Sequence, residues 1–253
     1  MRYVRFFSDG QEWEGQWVDD QIVTESGPTF AIEHITWLPP VRPSKIIGLA
    51  LNYRDHAEEL GLEEPPEPAL FFKPPSSLVG HRQAIYYPQG ATHCHYETEL
   101  AVVMGQRCRG VKPERALEYV RGYTIANDFT CRDFIRNMFR PPVRAKGFDS
   151  FCPLGPALVS REMIDDPDTL TIETRVNGEV RQSGSTAWLI MSIPDIIAYL
   201  ASFMTLEPGD VILTGTPKGI SPVYPGDRIC SEVSGLGILE NPVVAETERV
   251  GTR

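Results

Sequence analysis

The chain has 253 residues, enough for one large domain or one domain with a small appendage. Hydrophobic residues make up 42% and charged residues 23%, which supports a folded core rather than disorder. With 24 basic against 34 acidic side chains the formal charge is -10, which argues against nucleic acid or an anionic membrane as the main partner.

Short strands are predicted over 3–7, 12–18 and 22–24, parted by Asp9-Gly10 and Asp19-Asp20. The segment Leu38-Pro39-Pro40-Val41-Arg42-Pro43 is a stiff connector, because proline fixes φ and restricts its predecessor. A boundary there divides a small N-terminal β segment, 1–42, from a main domain, 43–253. Residues 45–49 read as a buried strand, 53–60 as a helix stopped by Gly61 and Pro65-Pro66, and 69–72 as a strand. A strand continues through Leu100 to Met104, a helix with proline in its first turn covers 113–120, a strand covers 122–127 and a short helix 132–138. The clearest helix is 192–204, capped by Ser192 and carrying Ile193, Ile196, Ile197, Leu200, Ala201 and Met204 as one stripe. Strands at 169–176 and 179–182 flank an Asn177-Gly178 hairpin turn, and 210–214, 228–233 and 237–244 complete the pattern. The fold class is α+β and β-rich, with few helices.

No apolar run approaches the roughly 18 residues of a membrane span. Five cysteines without a Cys-x-x-Cys pair predict a reduced, cytoplasmic protein with no zinc finger.

The chemistry concentrates in His95-Tyr96-Glu97-Thr98-Glu99 and Asn127-Asp128. Strand side chains alternate, so Glu97 and Glu99 share a face, and two close carboxylates ionise together only with a cation between them. Asp128, at the end of its own strand, adds a third hard oxygen ligand, a set that suits Mg²⁺ or Mn²⁺. Two readings compete: an acidic strand face turned to water, and a softer-metal site of His93, His95 and Glu97. The second leaves Glu99 and Asp128 unexplained. His56 and Glu59 stand three apart on a predicted helix, where a carboxylate can orient an imidazole as a general base; a surface pair has the same spacing.

Only five lysines stand beside nineteen arginines, so the lysines mark places that need a compact ammonium. Lys73, Lys146 and Lys218, with Arg132 and Thr216, are candidate anion binders. The backbone amides of Gly215-Thr216-Pro217-Lys218-Gly219 could grip a carboxylate, or could form an ordinary strand-exit turn. No P-loop, GxGxxG, GxSxG or HExxH pattern is present.

Several segments together resemble the fumarylacetoacetate hydrolase superfamily. They are Gly48-Leu49-Ala50-Leu51-Asn52-Tyr53-x-x-His56, Phe71-Phe72-Lys73-Pro74, His95-Tyr96-Glu97-x-Glu99 and Asn127-Asp128. Val176-Asn177-Gly178-Glu179-x-x-Gln182 and Leu206-x-Pro208-Gly209-Asp210-Val211-Ile212-x-Thr214-Gly215-Thr216-Pro217-Lys218-Gly219 continue the likeness. It is collinear from about residue 43 onward. The stretch from Cys131 to Lys146 is most similar to the isomerase/decarboxylase branch of homoprotocatechuate degradation.

The resemblance implies a mixed β-sandwich roll, usually dimeric, with one Mg²⁺ or Mn²⁺ held by residues matching Glu97, Glu99 and Asp128. It also implies that His56 and Glu59 lie on a segment that orders over substrate, with Lys146 beside the metal carboxylates and Thr216 near the substrate carboxylate. Some relatives fuse two copies of this unit; here a homodimer would supply the second. The implied reaction is decarboxylation or isomerisation of a 2-oxo or 2-hydroxydienoic di- or tricarboxylic acid through an enolate. Acylpyruvate hydrolysis, oxaloacetate decarboxylation and a non-catalytic binding role are the alternatives.

Overall fold

The run that follows Glu97 forms the strand Thr98–Met104, buried at every residue and therefore covered on both faces. In the computed structural model, which describes residues 1–25, 27–64, 67–135 and 141–249, this strand lies inside a long mixed sheet. Across that sheet the order is Thr29–Ala31, Gln21–Thr24, Gln11–Val18, Arg2–Ser8, Cys152–Ser160, Val120–Asn127, Thr98–Met104, Val211–Leu213, Ile46–Ala50 and Ala69–Lys73. A second sheet runs Glu179–Ser185, Thr171–Val176, Arg228–Val233, Gly237–Ala245 and Ile85–Tyr87. The two pack together: Leu100, Ile125 and Val159 of the first share a cluster with Ile172, Val233 and Leu239 of the second.

Helix Ile193–Phe203 closes this cluster with Ile193, Ile196, Ile197, Leu200 and Ala201, the stripe read from the sequence except for Met204, which is partly buried at the C-cap. The Ser192 hydroxyl accepts from the Asp195 amide and satisfies one of the helix's free donors. Among the described residues, no helix is long and apolar enough to cross a membrane.

One strand is not assigned from the sequence, and two local expectations change. Strand Cys152–Ser160 occupies the middle of the long sheet, although Pro153, Gly155 and Pro156 read as breakers. Its register against Val120–Asn127 shifts between Tyr123 and Ile125, so Pro156 falls where the ladder is irregular and needs no amide from it. The 113–120 helix is one α turn, Pro113–Ala116, followed by a 3-10 turn, Leu117–Tyr119. Of the expected 132–138 helix, Arg132–Phe134 is a 3-10 turn closed by the Ile135 amide on the Arg132 carbonyl, and 136–138 lie outside the described residues.

Strand Arg2–Ser8 pairs onto Cys152–Ser160, with Arg2 opposite Val159 and Tyr3 opposite Leu158. The N-terminal segment therefore extends the main sheet.

Close approach within the sheet makes one glycine indispensable. A Cβ on Gly122 would lie 2.1 Å from the Val159 carbonyl oxygen, a backbone atom held in the ladder. Gly122→Ala is expected to cost about 1–3 kcal/mol by urea unfolding, the range for overpacking a core, and an unchanged midpoint would contradict the packing described.

Candidate metal centre and active-site cavity

Register brings the three acids together. Thr98 stands opposite Asn127 and Glu99 opposite Ala126, so one step outward Glu97 faces Asp128. The Asp128 amide donates to the Glu97 carbonyl at 2.8 Å, and the Asn127 side-chain oxygen accepts from the Glu97 amide at 3.0 Å. Glu99 lies two residues along on the same face. One carboxylate oxygen from each of the three lies within 4.8 Å of the others, and all three residues are buried.

Cations from three separate segments compensate this charge. Lys73, at the end of strand Ala69–Lys73, donates to Asp128 Oδ1 and to the Phe129 carbonyl. Lys146, from helix Val143–Lys146, donates to Glu97 Oε2 at 3.0 Å, to Thr130 Oγ1 at 2.9 Å and to Asp128 Oδ2. Arg132 reaches Glu97 Oε1. Glu99 has no cation among the described partners; the Gly215 amide donates to its Oε2 at 2.6 Å.

The electrostatics follow that uneven sharing. Burial raises Glu99, and the charges of Asp128 and Glu97 push it further above the ordinary carboxylate range. Burial also acts on Glu97, but Lys146 and Arg132 outweigh it and hold this carboxyl well below that range. Lys146 is raised, because Asp128 and Glu97 overcome the burial that disfavours its charge. A buried group of hard oxygens with one carboxylate lacking a cation fits a divalent ion, whose charge would ionise Glu99. His93 and His95 are not part of this group. Burial, then Arg132, lower His95 to about 4, and its ring nitrogens have no hydrogen-bond partner among the described residues.

Helix Arg54–Glu59 covers the acids from the other side. His56 is buried, with Nδ1 3.0 Å from Glu59 Oε2. The spacing therefore reports a real pair, set over a cavity instead of on an open surface. That cavity, about 400 Å³, is lined by His56, Glu97, Glu99, Arg132, Lys146 and Thr216 at its polar end. Leu51, Leu60, Leu62, Leu70 and Phe71 form an apolar wall. A larger cleft of about 710 Å³ near the N-terminal segment contains Arg5, Arg42, Glu12 and Glu14, which pair among themselves and present no such chemistry.

Two of the expected anion binders stand elsewhere. Lys73 is wholly buried against Asp128 and does not line the cavity, so it holds one of the protein's own carboxylates. Lys218 is exposed and also outside the cavity lining. The turn does grip carboxylates, but they are the protein's own: Gly215 holds Glu99, the Lys218 amide reaches Asp55 at 3.3 Å and the Gly219 amide reaches Glu59 at 3.1 Å. Thr216 lines the cavity while its hydroxyl donates to the Thr98 carbonyl and accepts from Gln182 Nε2, each at 2.8 Å. Gln182, whose amide also reaches the Pro217 carbonyl at 2.8 Å, was visible only as part of a family pattern; its work is to hold this turn.

Two expectations follow from the charge distribution. A carboxyl raised on folding contributes stability at acid pH that is lost as pH climbs from the ordinary carboxylate range through its folded pKa. The lowered Glu97 acts on the other side of that range, losing its contribution as pH falls. In EDTA, Tm is therefore expected to decline with rising pH above the ordinary carboxylate range; Glu99→Gln should flatten that decline and remove the Tm increase produced by Mn²⁺. Calorimetry across pH checks both, and an undiminished slope in the variant would refute the assignment. Lys73→Met should destabilise the metal-free protein by about 3–5 kcal/mol, the range for removing one partner of a buried ion pair, and by less in saturating Mn²⁺.

Comparison with known proteins places this geometry. The family model described as "Fumarylacetoacetate (FAA) hydrolase C-terminal" matches residues 45–244. The 4-hydroxyphenylacetate degradation bifunctional isomerase/decarboxylase of Salmonella dublin is 48% identical over 211 residues, covering 83% of this chain and 49% of that protein. The chain thus spans about half the length of such curated relatives. Among solved structures, a 5-carboxymethyl-2-hydroxymuconate delta-isomerase from Mycobacterium smegmatis is 39% identical with a TM-score of 0.88, over 97% of this chain and 99% of that one. A maleylpyruvate hydrolase from Sphingobium sp. SYK-6, in complex with manganese(II) and pyruvate, is 29% identical with a TM-score of 0.83, over 97% and 99%. With its acids, sheets and sequence in agreement, the chain belongs to the fumarylacetoacetate hydrolase family.

Proposed function

We propose that the protein is a cytoplasmic, Mg²⁺- or Mn²⁺-dependent decarboxylase/isomerase of a 2-oxo or 2-hydroxydienoic di- or tricarboxylic acid, of the kind met in 4-hydroxyphenylacetate catabolism. The observation that carries this reading is the buried group of Glu97, Glu99 and Asp128, of which Glu97 and Glu99 line a cavity that also contains His56. A cation held by these acids supplies positive charge opposite the negative charge that develops on the substrate's 2-oxo oxygen, a contribution of several kcal/mol in comparable sites.

The remaining work falls to side chains of this chain. Arg132 and Lys146 line the polar end and orient the substrate's carboxylates. His56, held through Nδ1 by Glu59, offers Nε2 to the cavity and moves the proton that decarboxylation or a double-bond shift requires. Leu51, Leu60, Leu62 and Leu70 give the cavity an apolar wall against which the hydrocarbon part of such a substrate packs. A homodimer is part of the proposal, since the bifunctional isomerase/decarboxylases among its relatives are about twice as long and a second copy would stand for their additional length.

Acylpyruvate hydrolysis, or decarboxylation of oxaloacetate, is the second reading. One observation favours the hydrolase: a His–Glu pair can also activate water, and the manganese-bound neighbour is described as a maleylpyruvate hydrolase.

Purified protein with Mg²⁺ or Mn²⁺ is expected to release CO₂ from an unsaturated oxo-tricarboxylate, to lose that activity in EDTA and to regain it with metal. His56→Ala should lower kcat by about 10²–10⁴-fold with Mn²⁺ affinity unchanged. Acylpyruvate cleavage without CO₂ release would establish the second reading instead.

A further inference from the structure

The Glu59 carboxylate is shared. Oε2 meets His56 Nδ1 at 3.0 Å, while Oε1 accepts from the Gly219 amide at 3.1 Å. That amide is the fixed point from which the imidazole is aimed. Yet it belongs to a glycine with φ +98°, the residue type with the greatest backbone freedom. No side chain can steady it there, because a Cβ would lie 2.8 Å from the Arg181 carbonyl oxygen.

What holds Gly219 comes from the acid-bearing segment. The Tyr96 hydroxyl donates to the Gly219 carbonyl at 2.7 Å and lies 2.9 Å from Ser221 Oγ. Tyr96 is fully buried beside Phe129, Cys94 and Val223, so its ring is fixed by packing and its hydroxyl has a set position. Tyr96 also immediately precedes Glu97. One short stretch of backbone thus places a metal-site carboxylate on one face and, through its neighbour's hydroxyl, the anchor of the proton-moving pair on the other.

We propose that Tyr96 is a positioning residue for the His56–Glu59 pair: by tethering the Gly219 carbonyl it fixes the Gly219 amide on Glu59 and so fixes the ring of His56. The proposal rests on the reading of His56 and Glu59 as the proton-moving pair. An ordinary core tyrosine would lose packing or stability on substitution but would leave the imidazole unaffected. Tyr96→Phe keeps the ring and removes only the tether.

The test uses ¹⁵N-histidine-labelled protein with Mg²⁺, the His56 signals being assigned by their loss in His56→Ala. In the wild type, Glu59 should hold His56 as a single tautomer protonated on Nδ1. In Tyr96→Phe the ring nitrogens should shift toward averaged tautomers, kcat should fall about fivefold, as expected for one hydrogen bond, and KM and Mg²⁺ affinity should stay unchanged. Retention of both the wild-type tautomer and kcat in Tyr96→Phe overturns the proposal, as does an averaged tautomer in the wild type. If Tyr96→Phe does not fold, Gly219→Ala displaces the same amide, and an unchanged His56 spectrum there overturns it equally. The spectra need no substrate, so they judge the tether even if no oxo acid is turned over. Full activity in His56→Ala would instead overturn the role given to His56 and leave the tether standing.

Discussion

Three carboxylates buried within 4.8 Å of one another are the constraint around which the rest of the protein is arranged. Removing such charges from water costs several kcal/mol each unless partners compensate them. The partners here are distributed unequally. Asp128 takes Lys73 and Lys146, Glu97 takes Lys146 and Arg132, and Glu99 takes a single backbone amide among the described residues. Lys146 and Arg132 hold Glu97 well below the ordinary carboxylate range, whereas Glu99 is raised by burial and by its acidic neighbours. A divalent ion would remove that imbalance, which gives the centre its physical reason to bind one.

The sheet makes this arrangement rigid. Glu97, Glu99 and Asp128 stand on two neighbouring central strands or at their ends, flanked on one side by Val211–Leu213 and on the other by Cys152–Ser160. The Gly215–Gly219 turn leaves the flanking strand and grips Glu99 at its start and Glu59 at its end. One backbone segment therefore ties the buried acids to the helix that carries His56. A buried polar set keeps that segment in place: Gln182 holds Thr216 and Pro217, Thr174 holds Gln182 and Thr98, and Thr98 meets Ser231. These groups satisfy one another away from water, so the turn is fixed before any ligand arrives.

Much of the centre was legible because strand alternation and helical spacing are local rules. Glu97 and Glu99 share a face for the same reason that Thr98 and Leu100 share the opposite one, and His56 meets Glu59 across a single helical turn. The scarcity of lysine pointed usefully to Lys73 and Lys146, both of which end on Asp128. It misled for Lys218, whose side chain is exposed while its amide contributes instead. Lys73 illustrates the limit: its residue type announced an anion, but nothing local could say whether that anion was a ligand or the protein's own Asp128. Strand Cys152–Ser160 was hidden for a different reason. Its prolines argue against a central strand on local grounds, and only an irregular register with Val120–Asn127 makes the placement possible.

The sequence by itself determined that Glu97 and Glu99 share a face, which imidazole has a carboxylate one turn away, and that the chain is rich in strands. Those properties depend on neighbours a few residues apart, where backbone geometry leaves little choice. Tertiary structure alone decided that Lys73, Arg132 and Lys146 compensate the acids, that the turn grips Glu99 and Glu59, and that Tyr96 reaches Gly219. These contacts join residues from 18 to 160 positions apart along the chain, and all but the Lys146–Asp128 pair are 35 or more apart. Their formation depends on strand order and packing, which no local pattern encodes.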